Sequence, residues 1–172
     1  MTQWTNDDGL TVWYEREQSE RDVPSAASVV TFGAKNQMVI DLNYDNLPAE
    51  TTDSNNDGTN DGWNDGDPYI PAGSYITGAF IVVEAQWTTG SSAALNIGLS
   101  QKDGTVIDAD GIDAAIATGL LNVDRAVTCD GALAGGTATI GGADAYVKAA
   151  ASTGSFTGGK AKLVIEYISV QP

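Results

Sequence analysis

An acidic segment in the first half of the chain has the spacing of residues that bind calcium. Asp53, Asn55 and Asp57 occupy alternate positions, and Gly58 follows directly. Carboxylate and amide oxygens at alternate positions can wrap around a calcium ion, and a glycine at the sixth position allows the sharp turn that the wrapping needs. The pattern predicts a calcium site, and Ca²⁺ is the only cofactor that the sequence suggests.

The same segment resembles the calcium loops of thrombospondin type 3 repeats and related bacterial proteins. The resemblance implies side-chain oxygens from four residues and a backbone carbonyl from a fifth, which are Asp53, Asn55, Asp57, Asp61 and, for the carbonyl, Thr59. Asn64 stands where the family has a glutamate, so the bidentate ligand is missing. Asp65 and Asp67 are the carboxylates placed to substitute for it.

An ion-free loop explains the same residues, because Asp-Gly steps make tight turns in solvated segments. The charge distribution argues for a cation or a basic partner instead. No Lys or Arg occurs from Asn36 to Gln101, and five aspartates fall between positions 53 and 67. Like charges at this density repel one another unless a positive group lies among them. Both interpretations stay open from the sequence.

Residues for other chemistry are few. The chain has no histidine, which removes the Ser-His-Asp triad, imidazole metal ligands and the commonest proton-transfer group near neutral pH. Residues 154–160 fit the phosphate-loop spacing Gly-x4-Gly-Lys, but Ala161 follows where a Ser or Thr is required. Glu84 is expected to be a solvated strand residue, and Cys129 a small buried one. We therefore expect a protein that is not an enzyme.

Charge and length narrow the class of protein further. The 172 residues include 8 Lys+Arg and 23 Asp+Glu, which gives a net charge of −15. Such a surface repels the phosphates of nucleic acids and anionic membranes. The length suits one domain, and 20 glycines with only 18% charged residues favour a turn-rich β protein. The first residues carry no basic and apolar leader pattern, which predicts synthesis and folding in a cytoplasm.

Apolar residues that alternate with polar ones predict strands that would position the acidic loop. Met38, Ile40 and Leu42 share one face. A longer strand at 75–88 is predicted to place five residues on one face, which are Ala79, Ile81, Val83, Ala85 and Trp87. Residues 95–100 are expected to be its hairpin partner, and further strands are expected at 137–140, 143–151 and 160–170.

The predicted fold class is all-β, an antiparallel β-sandwich or jelly roll with at most one short helix. The only helix candidate is 112–117, which is short and could equally be a single turn, and 108–113 is expected to be a turn. Residues 1–25 are predicted to form an N-terminal arm with one short strand near 10–14. Residues 26–172 are predicted to form a single sandwich, with the long acidic loop at 44–69.

The carboxyl-terminal two-thirds of the chain resembles a module of structural proteins from tailed-phage virions. The likeness lies in residues 69–76 (YIPAGSYI), 90–99 (GSSAALNIGL) and 157–168 (TGGKAKLVIEYI), and residues 4–12 (WTNDDGLTV) are similar to the start of phage head proteins. The resemblance implies a capsid decoration, cement or head-fibre-like protein. It implies homo-oligomers on the virion surface, with the major capsid protein or other virion proteins as partners.

The leading hypothesis is thus a non-enzymatic virion protein that decorates or cements the capsid. The alternative is a calcium-stabilised carbohydrate-binding or adhesive β-sandwich, which the acidic loop and the four tryptophans allow. Binding to glycans that is lost on substitution of a tryptophan would favour the alternative. Co-purification with capsids would favour the virion protein.

Overall fold

The computed structural model describes residues 2–5, 11–14, 35–53 and 60–169. The chain divides into two compact units, Met1–Thr31 and Phe32–Pro172. The predicted boundary between an arm and the sandwich, at residues 25 and 26, lies outside the described residues and stays a prediction.

The described part of the first unit is a pair of short antiparallel strands. β1 (Thr2–Thr5) pairs with β2 (Thr11–Tyr14), so that Thr2 lies opposite Tyr14 and Thr5 opposite Thr11. The sequence predicted only the second of these strands. The two strands form a sheet of their own and belong to neither of the larger sheets.

The described part of the second unit contains eight strands. In chain order they are β3 (Lys35–Asn43), β4 (Tyr69–Ile70), β5 (Tyr75–Thr89), β6 (Ala94–Ser100), β7 (Val106–Ala117), β8 (Ala126–Thr128), β9 (Ala145–Thr153) and β10 (Phe156–Ile168). One sheet has the order β3-β10-β5-β8 and the other the order β4-β9-β6-β7, with every strand pair antiparallel. The predicted all-β sandwich is confirmed.

The core lies between the two sheets and follows the predicted alternation. The first sheet contributes Leu42, Ile81, Leu163 and Ile165, the second contributes Ile70, Leu95, Ile97 and Ile112, and all eight are 0% exposed. Ala85 departs from the prediction because it is exposed. The ladder between β5 and β10 shifts register beside it, where Lys160 lies opposite Ala85 and Ala161 opposite Val83.

The predicted hairpin of β5 and β6 is wrong, because these strands lie in opposite sheets. β5 is paired on its two edges by β10 and β8, and β6 by β9 and β7. Residues 154–155 likewise link β9 to β10 across the two sheets. Such crossings let consecutive strands bury their apolar faces against each other from the two layers.

The helix expected at 112–117 and the turn expected at 108–113 are both wrong, because β7 covers both segments. Asp113 lies opposite Ile97 and Ile116 opposite Leu95, so three steps along β7 match two along β6. This extra residue is a β-bulge, and Ala115 there has φ of 52°. Ala114 and Ala115 are both exposed there, between the buried residues Asp113 and Ile116, so the two-residue alternation is interrupted.

Two smaller elements also differ from the prediction. Residues 137–140 form no strand; Thr139 only bridges to Tyr75. The described helical structure is a single 3₁₀ turn at Thr118–Leu120.

None of the described helical structure has the length and apolar character needed to span a membrane.

A tryptophan and a glycine fix the packing at one end of the sandwich. Trp87 is 1% exposed and meets the ring of Phe156 edge-on, with 4.8 Å between ring centroids. Gly159 has φ of 137°, and a Cβ there would lie 2.5 Å from the Trp87 ring. The backbone of β10 therefore approaches the indole more closely than any other residue type allows.

We expect Gly159→Ala to destabilise the fold by about 2 kcal/mol or more, because the methyl group must displace the indole and the backbone angle disfavours alanine. Urea unfolding followed by tryptophan fluorescence measures the loss. Gly142→Ala is the matched control, since nothing lies within 4 Å of a Cβ at that position. Equal losses in the two variants would contradict this account of the packing.

Candidate functional site

The acidic loop is closed at its base by a short antiparallel bridge. The Thr51 and Thr52 amides donate to the Gly62 carbonyl at 2.8 and 3.0 Å, and the Asp61 amide donates to the Thr52 carbonyl at 2.8 Å. This bridge brings together the chain positions of Asp53 and Asp61, the first and last of the predicted calcium ligands. Asn55, Asp57 and Thr59 lie outside the described residues, so the calcium loop stays a prediction.

The loop is anchored to the second sheet by Trp63. Its indole N–H donates to Ser100 Oγ at 2.8 Å, and its backbone N–H donates to the Lys102 carbonyl at 2.9 Å. The ring stacks on Tyr146 with 5.4 Å between centroids. Gly104 lies so close below the loop that its Cβ would be 2.0 Å from the Asp61 carbonyl oxygen. The segment that follows the predicted ligands is thus held firmly in place.

Lysines from distant parts of the chain supply counter-charges to this region. Lys102 pairs with Asp65, Lys148 with Glu50 at 2.7 Å, and Lys162 with Asp41 at 2.5 Å. The hydrogen bond and charge of the partner lysine lower the pKa of Asp41 and of Asp65. Lysines that are distant in sequence therefore supply part of the counter-charge that the neighbouring residues lack.

The side chains of Thr51, Asn64 and Asp67 form a small network beside Trp63. Asp67 Oδ2 accepts hydrogen bonds from Thr51 Oγ1 at 3.0 Å and from the Asn64 amide at 2.8 Å. Asn64 Nδ2 donates to Thr51 Oγ1 at 2.8 Å. Asn64 stands where the resembling calcium loops have a glutamate, and in this network it forms hydrogen bonds with Thr51 and Asp67.

A cavity of about 470 Å³ opens next to the loop, on the side of the sandwich where β3 ends the first sheet. We call it the open flank. Its lining includes Ile40, Asp41, Leu47, Glu50, Asp67 and Val147. Ile40 and Asp41 are neighbours on opposite faces of β3, so a cavity that both residues border must lie at the free edge of that strand.

No pattern in the sequence predicts this flank, because its walls come from β3, the loop and β9. Only the inward position of Ile40, at the base of the cavity, could be predicted, because apolar and polar residues alternate along β3.

The buried titratable groups form a separate, closed cluster. Asp113 is 5% exposed and Cys129 is 5% exposed. The Asp113 carboxylate accepts hydrogen bonds from the Cys129 thiol and from the amides of Ala114 and Asp130. Burial, and then the charge of Asp130, raise the pKa of Asp113, while burial chiefly raises the pKa of Cys129 to about 12. The thiol is protonated at neutral pH and unsuited to act as a nucleophile.

Glu84 forms ion pairs on the outer face of the first sheet. Its carboxylate lies 3.9 Å from Lys160 Nζ and 3.8 Å from Lys162 Nζ. Within 35–53 and 60–169, no three Asp, Glu or Cys side chains converge in the manner of a metal site.

Two solved structures are similar to this chain. A chain of the "Capsid of Ralstonia phage GP4" matches 87% of this chain over 90% of its own length, at 17% identity and a TM-score of 0.49. A chain of the "Cyanophage Pam1 capsid asymmetric unit" matches 86% of this chain over 98% of its own length, at 14% identity and a TM-score of 0.42. Both structures are named as phage capsids. No protein-family model matches the chain, and no curated protein matches it.

For the acidic loop, we expect calorimetry to detect binding of calcium at millimolar concentration, with an affinity about tenfold lower in Asp57→Asn because the site loses one ligand charge. Asp110→Asn, which removes a carboxylate outside the loop, serves as the control and should bind calcium as the wild type does. Absence of any heat with the wild-type protein would rule out the calcium loop.

For the buried cluster, we expect Asp113→Asn to raise the melting temperature at pH 7. Because the pKa of Asp113 is raised in the folded state, this group favours the folded state at low pH. That stabilisation is lost as the pH rises through the pKa of the folded state. Removing the charge should raise the melting temperature by about 2–4 °C, which corresponds to roughly 1 kcal/mol for a chain of this length.

The control for this variant is Asp103→Asn, for which the opposite sign is expected. The Asp103 carboxylate accepts the Thr105 amide, and that hydrogen bond lowers its pKa. The stabilisation that the Asp103 carboxylate contributes is present above the pKa of the unfolded state and is lost as the pH falls. The Asp103→Asn variant should therefore be less stable than wild type at pH 7. Melting curves across the acid range measure both, and identical pH profiles for Asp113→Asn and wild type would refute the assignment.

Proposed function

We propose that this chain is a non-enzymatic structural protein of a phage virion that decorates or cements the capsid surface. Its partners in this role are the major capsid protein or other virion proteins, and it acts as a homo-oligomer. Its place of action is the virion, after synthesis in the host cytoplasm.

The observation that carries the proposal is where the resemblance to virion proteins falls in the fold. Residues 69–76 span β4 and the start of β5, residues 90–99 lead into β6, and residues 157–168 are nearly the whole of β10. These strands belong to both sheets, and β10 and β6 are central in them. The likeness therefore covers the framework of the sandwich and is not confined to one loop.

The chemistry of the described residues also supports a structural role. The carboxylates that border the open flank are engaged by Lys162, Lys148 and the Thr51 hydroxyl. Asp113 and Cys129 are enclosed in the core. Catalysis by acid and base requires a titratable group that is free to exchange a proton with a bound substrate. The carboxylates at the flank are held in these contacts, and Asp113 and Cys129 are enclosed.

The names of the two similar structures agree with this role. At 17% and 14% identity and TM-scores of 0.49 and 0.42, they indicate a related arrangement of strands. The proposal depends on the residues described above and not on those two names.

Assembly into oligomers would stabilise such a protein. The only cysteine is free and buried, so no disulfide within the chain holds the sandwich together. Covering exposed strand edges with neighbouring subunits removes unpaired backbone groups from solvent and stabilises the folded form by mass action. The N-terminal arm is the segment that we propose reaches a neighbour, by adding a strand or wrapping onto it.

We expect cryo-microscopy of purified source particles to show this chain on the outer shell. In rebinding experiments with particles stripped of the protein, full-length chain should restore the density, and a chain that lacks residues 1–22 should fail to bind. The truncated chain should keep its β-type circular dichroism and cooperative melting. Particles without this chain, or full rebinding of the truncated form, would contradict the proposed role or the role of the arm respectively.

A further inference from the structure

An apolar row crosses the outer face of the first sheet. Val39 on β3, Val164 on β10 and Phe80 on β5 lie opposite one another in the ladder. They alternate with the buried residues of these strands and therefore face away from the core. Val39 is 53% exposed, and Val82, the next outward residue of β5, is 39% exposed. Neighbouring apolar side chains that are exposed among polar ones mark a contact site.

The strands of the first sheet carry no net charge, although the protein is acidic. They contain three lysines and three carboxylates, whereas the strands of the second sheet contain one lysine and three aspartates. The six charged side chains form ion pairs within the chain: Lys35 with Glu166, and Lys160 and Lys162 with Asp41 and Glu84. Asp124 and Arg125, directly before β8, add one charge of each sign. Two copies that each carry a net charge of −15 therefore repel each other least where their first sheets meet.

The outward residues of β10 make this face complementary to itself. Lys162 and Glu166 lie two positions to either side of Val164. A two-fold axis along the apolar row would lay β10 of a second copy antiparallel over β10 of the first. Lys162 of each copy would then face Glu166 of the other, and contacts in such reciprocal pairs are what an isologous interface requires.

The existing ion pairs leave room for these contacts. The side chain of Lys162 is 42% exposed and that of Glu166 is 30% exposed, although each is paired within its own chain. Exposed ion pairs contribute little to the stability of a single chain. A second opposite charge from a facing copy can therefore join each pair at low cost.

The same axis also matches the shapes of the two faces. Val82 and Gly78 lie two positions to either side of Phe80, in a part of β5 that pairs with β10 without a register shift. Val82 of one copy would thus face Gly78 of the other. Among the described residues, a Cβ at Gly78 would have a single heavy atom within 4 Å, Glu166 Oε2 at 3.9 Å. An exposed valine opposite open space over a glycine suits the close packing of two sheets.

We propose that a second copy of this chain packs on the outer face of the first sheet, with a two-fold axis along the apolar row. The apolar rows of the two copies cover each other, Val82 fills the space over Gly78 of the partner copy, and Lys162 pairs with its Glu166. The inference deepens the proposed function, because it names the surface through which the proposed homo-oligomer forms.

Sedimentation of the full chain from about 1 μM to about 1 mM measures this association, and a dimer is expected. Val39→Lys should weaken it at least about tenfold, because the two lysines would lie against each other across the axis. Val106→Lys is the matched control. Val106 is 55% exposed on β7 in the other sheet, so this variant should leave the dissociation constant unchanged.

Gly78→Val tests the match of shapes without a change of charge. The added side chain has room in a single chain, so the melting temperature of the monomer should not fall. It should occupy the space that Val82 of the partner copy requires and weaken the dimer about tenfold, as overpacking of a close contact does.

An exchange of charges identifies the partner as a second copy. Lys162→Glu and Glu166→Lys each place like charges opposite each other at both ends of the interface, so each variant alone should be monomeric. An equimolar mixture of the two variants should associate, because both contacts then join opposite charges. Circular dichroism and melting curves show whether each variant is folded, and the Val39 and Gly78 variants carry the test if either charge variant is not.

A wild-type chain that stays monomeric over the whole range would overturn the inference, as would a dimer that Val39→Lys and Gly78→Val leave intact. Loss of rebinding to stripped particles in Val39→Lys, with self-association unchanged, would also overturn it and assign the face to another virion protein. Sedimentation involves no particles, so a failure there leaves the virion role to be judged by cryo-microscopy.

Discussion

The arrangement of the whole second unit depends on the strand β10. It is paired on both edges, with β3 on one side and β5 on the other. Its inward residues Ala161, Leu163 and Ile165 are 0% exposed, so they also form the contact with the opposite sheet. Backbone pairing and apolar burial are satisfied by the same thirteen residues, and neither is possible unless the alternation of side chains is kept in register. The close approach of Gly159 to Trp87 extends this constraint to the end of the core.

Ion pairs and unpaired carboxylates determine the charge of the outer surface. The lysines are few, and each pairs with a carboxylate of the same chain. Lys162 lies between two of them, Asp41 and Glu84. Most of the acidic surplus is left on the surface, where it makes contacts with basic groups favourable. The buried carboxylate of Asp113 is tolerated because a thiol and two backbone amides solvate it.

The sequence was sufficient for those features that depend on local alternation, and insufficient for those that depend on distant partners. The core faces of β3 and β10 could be predicted because two-residue periodicity directly reports burial. β7 was misassigned because its ladder with β6 shifts register at three places, which interrupts that periodicity. The placement of β5 and β6 in different sheets could not be predicted, since adjacency in sequence does not determine which strands pair. The same limit applies to the acidic region, where Lys102, Lys148 and Trp63 with Ser100 become neighbours only through the fold. Of the predicted calcium ligands, only Asp53 and Asp61 are described, and the backbone bridge brings their chain positions close.

The central place of β10 has a further consequence for how the protein is made. β3 and β5 lie on opposite sides of β10 and are not paired with each other, although the ribosome produces both of them long before it produces β10. The hydrogen bonding of the first sheet is therefore not continuous until residues 156–168 have been synthesised. More than a hundred residues separate β3 from β10 in the chain, so their pairing is a contact of long sequence separation. Until then the apolar faces of β3 and β5 remain available to chaperones or to other nascent chains. A nonsense codon or a stalled ribosome anywhere before β10 thus yields a chain in which β3 lacks its partner β10 and β5 pairs at most with the three-residue strand β8.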